Sequence, residues 1–209
     1  GKQQNTLRSG TLATPLIVGM GHAFSLAAER FQTDLQHIQN LHDIAWQYLL
    51  KNHDAKRYGE EHNAVPHILN VHLKNIHGAA FMRAISPFVW CAQSSACNAA
   101  QGIASPVLIA MGYSEKEAQN AFRFSFGRDL TQESLKQALQ HISAIIHTLQ
   151  YIAGHRHEKP APIQWPEGSD PQLIEALDTH EIIAPETEKQ HRITKQQDGN
   201  ATLEWQTLI

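Results

Sequence analysis

Two residues in this chain have the type and setting that reactive chemistry requires. Cys97 sits inside Gln93-Ser94-Ser95-Ala96-Cys97-Asn98-Ala99-Ala100, a run of small side chains just ahead of a helix start at Ser105-Pro106. Small neighbours leave a thiol accessible, and a nearby helix N-terminus or cation lowers its pKa so that the nucleophilic thiolate forms. A cysteine in such a run also serves as a small buried hydrophobe, so the residue alone admits both readings. Arg123 breaks the aromatic alternation of Phe122-Arg123-Phe124. Either it faces solvent as an ordinary strand residue, or its planar guanidinium grips a carboxylate through two parallel N–H donors, which lysine does not copy. Gly10-Thr11 offers a hydroxyl and open backbone N–H groups, a turn able to cradle an anion. The 14 histidines form no metal pattern. His67, His72 and His77 recur every five residues, on neither one strand face nor one helix face. His155-Arg156-His157 puts a cation between its candidates, and His22, His37 and His42 lack accompanying carboxylates, so no metal site is expected. Cys91 and Cys97 lack the Cys-x-x-Cys spacing of a thioredoxin-like pair.

Those residues have to be held by elements, and the periodicities say which. From Thr14-Pro15 onward, Leu16, Met20, Phe24, Ala27, Phe31, Leu35, Ile38, Leu41, Ala45 and Leu49 fall three or four apart, one stripe on a long helix. Pro15 is permitted in the first turn. The polar stretch Asn52 to Asn63 reads as a connection to a different packing unit. Pro66 to Leu73 reads as a strand, Gly78 to Ile85 as a short helix halted by Pro87, and Phe88 to Ala92 as a second strand. Ser105-Pro106 starts a helix, and Ser114-Glu115-Lys116-Glu117 is a capping box opening another. Ala121 to Phe126 alternates as a strand, and Leu135, Leu139, Ile142, Ile146 and Leu149 make an amphipathic helix after Thr131. This order predicts a small α+β layer from about Ala64 to Ile152. Beyond Gly154, Pro160, Pro162, Pro166 and Pro171 punctuate a polar stretch, with a short helix at Gln172–Leu177 and a terminal hairpin over Arg192 to Trp205.

Composition bounds the classes. A chain of 209 residues with 42% hydrophobic content carries enough apolar material for a core, which excludes wholesale disorder. Lys+Arg 17 against Asp+Glu 20, a formal net charge of −3, argues against direct nucleic-acid binding, and no direct contact with nucleic acid is expected. No apolar run approaches the ~20 residues of a bilayer crossing, and Gly1-Lys2-Gln3-Gln4-Asn5 has no apolar segment of a signal peptide. Two cysteines fit a reducing compartment, so the expectation is a cytoplasmic protein without membrane contact.

Six motifs together resemble the NifS/IscS-type cysteine desulfurases: Leu7-Arg8-Ser9-Gly10-Thr11, Ile17-Val18-Gly19-Met20-Gly21, Ile68-Leu69-Asn70-Val71, Ser95-Ala96-Cys97, Val107 to Gly112 and Phe122 to Arg128. They stand in that family's order and spacing over about Gly1 to Leu149. The resemblance implies the C-terminal portion of a type I pyridoxal-phosphate transferase, α+β / α/β in class. It comprises a long large-domain helix plus a small α+β domain with a short antiparallel sheet. Residues 1–63 would be the C-terminal piece of the large domain, 64–154 the small domain with its cysteine loop, and 155–209 an extension of unknown role. The implied activity turns L-cysteine into L-alanine and leaves a persulfide on Cys97 for a sulfur-acceptor protein. Iron–sulfur clusters, thiolated tRNA and modified DNA all stand as destinations. Arg123 matches the residue that holds the substrate carboxylate. Thr11, with Gly10, matches the contact to a cofactor phosphate across a homodimer interface. The cofactor would be pyridoxal 5′-phosphate.

The departures carry expectations of their own. The family's Schiff-base lysine lies upstream of the segment matched by Arg8, and no lysine of this sequence occupies that position, so the isolated chain is expected to be inactive. Ser94 stands where the family commonly has glycine, and His77-Gly78-Ala79 replaces a segment that normally carries glutamates. The alternative is a non-catalytic sulfur-relay or partner-binding module derived from the same family, with Cys97 accepting sulfur from elsewhere.

Overall fold

Helix α1 runs unbroken from Thr14 to His53, with Pro15 in its first turn and Asp54 at its C-cap in the left-handed region, φ 48°. The computed structural model describes residues 3–59, 64–93 and 104–178. After α1 come β1 (Lys56–Arg57), β2 (Ile68–His72), α2 (Gly78–Ile85), β3 (Ala92–Gln93), α3 (Pro106–Ala110), α4 (Glu115–Gln119), β4 (Ala121–Ser125), α5 (Gln132–Ile152) and α6 (Pro171–Asp178). The strands form one antiparallel sheet in the order β1-β2-β4-β3.

The sheet buries one face. Leu69 and Val71 on β2 and Phe122 and Phe124 on β4 point inward, against Phe81, Ala84 and Ile85 of α2 and Leu139, Ile142, Ile145 and Ile146 of α5. Phe81 and Phe122 meet edge to face at 4.6 Å. Period-two alternation on the strands and the 3.6-residue stripe of α5 thus close the two-layer α+β unit that the sequence predicts. The capping box is present: Ser114 Oγ accepts from Glu117 N at 3.3 Å, and a Glu117 carboxylate oxygen accepts from Ser114 N at 3.0 Å. Those bonds, led by the Ser114 backbone N–H and helped by Lys56, hold the Glu117 carboxyl down at about 2.

Two expectations change. Phe88 to Ala92 is not a strand. Phe88 N and Val89 N both donate to Ile85 O, a turn around Pro87, and only Ala92–Gln93 pairs with β4. The polar stretch Asn52 to Asn63 is more than a connection, because Lys56 and Arg57 pair with His72 and Val71 as an edge strand. Two residues paired on one side carry no periodic signal, which is why β1 is invisible in sequence. One core cluster draws residues from either side of 63/64 and of 154/155. Leu41, Ala45 and Leu49 of α1, and Ile163 and Leu177 beyond α5, belong to one cluster with the sheet. Trp165 packs on Phe88 at 5.4 Å, and Arg83 bridges Asp170 at 3.1 Å. The hairpin expected over Arg192 to Trp205 lies outside the described residues.

Gly78 opens α2 at a point of close approach. A Cβ there would overlap Gln93 Nε2 and stand 2.9 Å from the backbone oxygen of Gln119. Alanine in a helix ordinarily gains up to about 1 kcal/mol over glycine. Here overpacking of about 1–3 kcal/mol outweighs that gain, since the Gln119 carbonyl is backbone and cannot swing aside. Gly78→Ala should therefore lower stability, and urea unfolding with an unchanged m-value is the check.

His53, the last residue of α1, is 6% exposed and neither ring nitrogen has a hydrogen-bond partner among the described residues. Its ring lies 5.1 Å from that of His147 on α5 and 6.2 Å from that of Tyr48. Burial first, then the charges of His147 and Arg156, push its pKa from 6.5 down to about 4. The unfolded chain consequently binds more protons between those values. Stability is complete above about pH 6.5 and drains as pH falls towards 4, by about 3 kcal/mol over the whole interval. His147 is depressed for the same leading reason and adds in the same sense. His53→Leu should flatten the stability profile between pH 6.5 and 5, read from urea midpoints. Glu117 and Asp170, both depressed carboxylates, lose their contributions only at lower pH.

Candidate functional site

Strand β4 sets Arg123 where it stands. With Phe122 and Phe124 committed to the core, strand geometry sends Arg123 and Ser125 to the opposite face, and both are exposed. Arg123 lies opposite Asn70 on β2 and opposite Ala92 on β3. Among the described residues its guanidinium has no hydrogen bond or ion pair. A cation held on a sheet with its planar donors unspent can take a carboxylate in the two-point geometry.

One end of this face is walled by a second, smaller cluster of Tyr58, Ala104, Leu108, Ala118 and Ala121, with Tyr113 against it. Tyr58 and Tyr113 meet edge to face at 4.6 Å, and Tyr58 Oη donates to the Glu117 carbonyl at 2.7 Å. Burial, then the neighbouring Glu117 and Tyr113, raise the Tyr58 phenol, which stays protonated as a donor. The chain leaves this face at Gln93, whose Nε2 donates to Gln119 O at 2.6 Å, and returns at Ala104 in the smaller cluster. Cys97 lies between them and outside the described residues. Its two flanks are therefore anchored beside Arg123, at β3 and at the cluster covering Ala121. The other cysteine is placed differently. Cys91 is half-buried with Sγ donating to Met82 Sδ at 3.5 Å, and burial pushes its thiol up to about 11, an unreactive setting.

Gly10 and Thr11 are exposed, with Gly10 at φ 107° and its N–H donating to Gln3 Oε1 at 3.4 Å. Thr11 sits three residues ahead of the N-terminus of α1, where the helix dipole favours an anion. Among the described residues, the first ion pair from α1 to the rest of the chain is Asp34 with Arg128, in the turn after β4, at 3.4 Å, and His37 bonds Leu130 O at 2.9 Å just beyond. The helix before Asp34 spans about 30 Å at 1.5 Å per residue. The described residues thus do not gather Thr11 and Arg123 into one site. The expected histidine positions are scattered as well: His72 is on the outer face of β2, His77 caps α2 by accepting from Ala80 N, and His67 accepts from Phe126 N through its carbonyl. Among the described residues no three His, Cys, Asp or Glu side chains are grouped to hold a metal, and no helix is long and apolar enough to cross a membrane.

Residues 1–138 match the family described as Aminotransferase class-V. The chain belongs to that family. Cysteine desulfurase IscS of Buchnera aphidicola subsp. Schizaphis graminum is 30% identical over 153 residues, which are 73% of this chain and 38% of that protein. Cysteine desulfurase IscS of Acinetobacter baumannii (strain AYE) is 31% identical over 175 residues, 84% of this chain and 42% of that protein. The chain thus spans about two fifths of the length of these relatives. A solved structure titled NIFS-like protein superposes with a TM-score of 0.58 at 28% identity, over 70% of this chain and 37% of that one. A second, a NifS-like protein from Rickettsia africae ESF-5, shares the fold at a TM-score of 0.57. The small antiparallel sheet with its helices is accordingly an α+β part of the class-V aminotransferase fold.

Sequence reasoning passed over Asn70 and Tyr58. The alternation Ile68-Leu69-Asn70-Val71-His72 already places Asn70 on the polar side of β2, and the strand pairing then brings it to Arg123. Tyr58 carried no periodic signal, because it comes directly after the two-residue β1.

The helix beside Thr11 carries a consequence of its own. Leu16 is 74% and Phe24 69% exposed, with Met20 and Phe31 also open to solvent, an apolar stripe too large to be indifferent to water. Phe24→Glu with Phe31→Glu should abolish hydrophobic-dye binding and concentration-dependent self-association of the chain while moving its urea midpoint little. A lowered midpoint would place these rings in the folded core instead.

Proposed function

We propose that this chain is the carboxylate-holding and sulfur-accepting part of a cysteine desulfurase, an enzyme that takes sulfur from L-cysteine and releases L-alanine. The single observation that carries the reading is Arg123: an exposed guanidinium without a partner among the described residues, opposite β3, the strand that precedes the Cys97 segment in sequence, in a class-V aminotransferase. The curated relatives are named as cysteine desulfurases, which supports the same direction.

The family implies pyridoxal phosphate, and the residues present meet part of what it requires. Thr11 and the adjoining helix terminus suit a phosphate, and Arg123 suits the carboxylate of the amino acid bound beside it. The amine that would hold the cofactor covalently is not supplied by the strands around Arg123. Strands β2, β3 and β4 carry no lysine, and Lys56 on β1 is paired with Glu117 at 3.3 Å. Pyridoxal phosphate supplies an electron sink for the substrate carbon skeleton. The roles of this chain are to orient and to accept. Arg123 fixes the carboxylate in a two-point grip. The Cys97 thiolate attacks the substrate sulfur, an S–S bond forms as the substrate C–S bond breaks, and the electron pair left on carbon takes a proton to give the methyl group of L-alanine. The persulfide on Cys97 then passes to an acceptor protein.

Thr11, at the projecting end of α1, suits contact with a cofactor bound by a second subunit, and the exposed stripe on α1 suits a homodimer. Residues 1–63 are proposed as the end of the large domain, 64–154 as the small domain and 155–209 as an extension. A cytoplasmic setting and delivery of sulfur to iron–sulfur clusters or tRNA complete the reading.

In the complete enzyme, Cys97→Ala should lose both the added mass of one sulfur atom and sulfur transfer. Arg123→Ala should raise KM for L-cysteine roughly a hundredfold, the worth of two charge-assisted hydrogen bonds at about 1.5 kcal/mol each. Unchanged sulfur release by the Cys97→Ala enzyme would overturn the proposal. The isolated chain is expected to form no L-alanine from L-cysteine and added pyridoxal phosphate, measured by amino-acid analysis.

A further inference from the structure

Asn70 stands directly opposite Arg123 across β2 and β4. Its own carbonyl accepts from Tyr58 N at 2.9 Å, on the β1 side of the strand. Its backbone groups therefore point away from β4, and Asn70–Arg123 is a non-hydrogen-bonded pair, the kind whose side chains stand closest. The Asn70 Oδ1 atom is buried and has no hydrogen-bond partner among the described residues. A buried acceptor in that state carries an uncompensated desolvation cost. Of the neighbouring groups on the outer face, Tyr58 Oη is engaged with the Glu117 carbonyl and Lys56 Nζ with a Glu117 carboxylate oxygen, while His72 Nδ1, two residues along β2, is unpaired among the described residues and stands on the same strand rather than across from Asn70. Ser125 stands diagonally, and its side chain is short. Arg123 lies straight across and has five N–H groups, none engaged among the described residues.

We infer that Asn70 is the positioning residue for Arg123: when the substrate carboxylate binds, its Oδ1, unpaired in this structure, takes one guanidinium N–H and so fixes the plane in which two others meet that carboxylate. The inference rests on the carboxylate-holding role proposed for Arg123. Donor arithmetic permits it, since a two-point carboxylate takes two of five N–H groups and Asn70 takes a third. The effect is orientation. An arginine on an exposed strand has several rotatable bonds, and a fixed acceptor beside it narrows them to the arrangement that meets the ligand.

The test compares two ligands that differ only in the carboxylate. L-alanine and ethylamine are titrated calorimetrically into the cofactor-loaded enzyme containing this chain, as wild type, Asn70→Leu and Arg123→Ala. Asn70→Leu keeps the bulk and removes the acceptor. It should weaken L-alanine about tenfold and leave ethylamine unchanged, and it should add nothing in the Arg123→Ala background. Asn70→Ala, which demands no repacking, reads the same quantity if the leucine variant does not fold. Equal weakening of both ligands, or a full additional loss on top of Arg123→Ala, would overturn the inference. If Arg123→Ala itself keeps the preference for L-alanine, the carboxylate-holding reading fails. If Arg123→Ala loses that preference and Asn70→Leu keeps it, only the role of Asn70 falls.

Discussion

The pairing register of β4 on β2 is the constraint on which the rest depends. Phe122 has no exposed surface and meets Phe81 at 4.6 Å, and truncating such a ring costs about 3–5 kcal/mol. Because strand side chains alternate, a slip by one residue would expose Phe122 and Phe124 and drive Arg123 into an apolar layer with no acceptor. Both penalties act in the same direction, so hydrophobic packing on the inner face fixes a cation on the outer one. The site contributes nothing to that choice. It inherits its geometry from the core.

The same economy governs the approach to the cysteine segment. Gln93 is the residue at which β3 ends, and its amide is held by the Gln119 carbonyl at the end of α4, over the backbone of Gly78 at the start of α2. Three elements that are far apart in sequence thereby fix one point of departure. Gly78 is required for space and not for dihedral freedom, since its φ is not in the left-handed region. Helix α2 can begin there only because no side chain separates it from Gln93. In that respect the His77-Gly78-Ala79 segment is as much a part of the site's support as the strands are.

The outline of this arrangement was legible in sequence where a period was strong and long. The stripes of α1 and α5, the alternation of β4 and the Ser114 capping box each appear within a residue or two of expectation. What stayed hidden depended on contacts between distant residues. The strand β1 exists because its two residues find Val71 and His72, and the sequence from Phe88 onward, apolar enough for a strand, turns instead on Ile85 behind Pro87. The site was half legible. An arginine amid alternating aromatics signals an outward cation, but nothing local to Arg123 reveals that Asn70, 53 residues earlier, supplies an unsatisfied acceptor across the sheet.

Helix α1 joins two environments along one continuous stripe. Leu41, Ala45 and Leu49 of that stripe lie at or below 2% exposure, in the cluster shared with the sheet and α5, whereas Leu16, Met20 and Phe24 on the same periodic pattern face solvent. The pattern does not change along the helix, so what differs is the partner available to each half. A helix buried at one end and bare at the other transmits position rigidly, since 40 residues without a break leave no hinge. The orientation of the sheet, and with it Arg123, is thereby tied to whatever covers Leu16 to Phe24. That coupling gives a physical reason for Thr11 to sit at the far end of the same helix. Thr11 and Arg123 are thereby held at a fixed separation by one rigid rod, with about 30 Å of helix standing before Asp34.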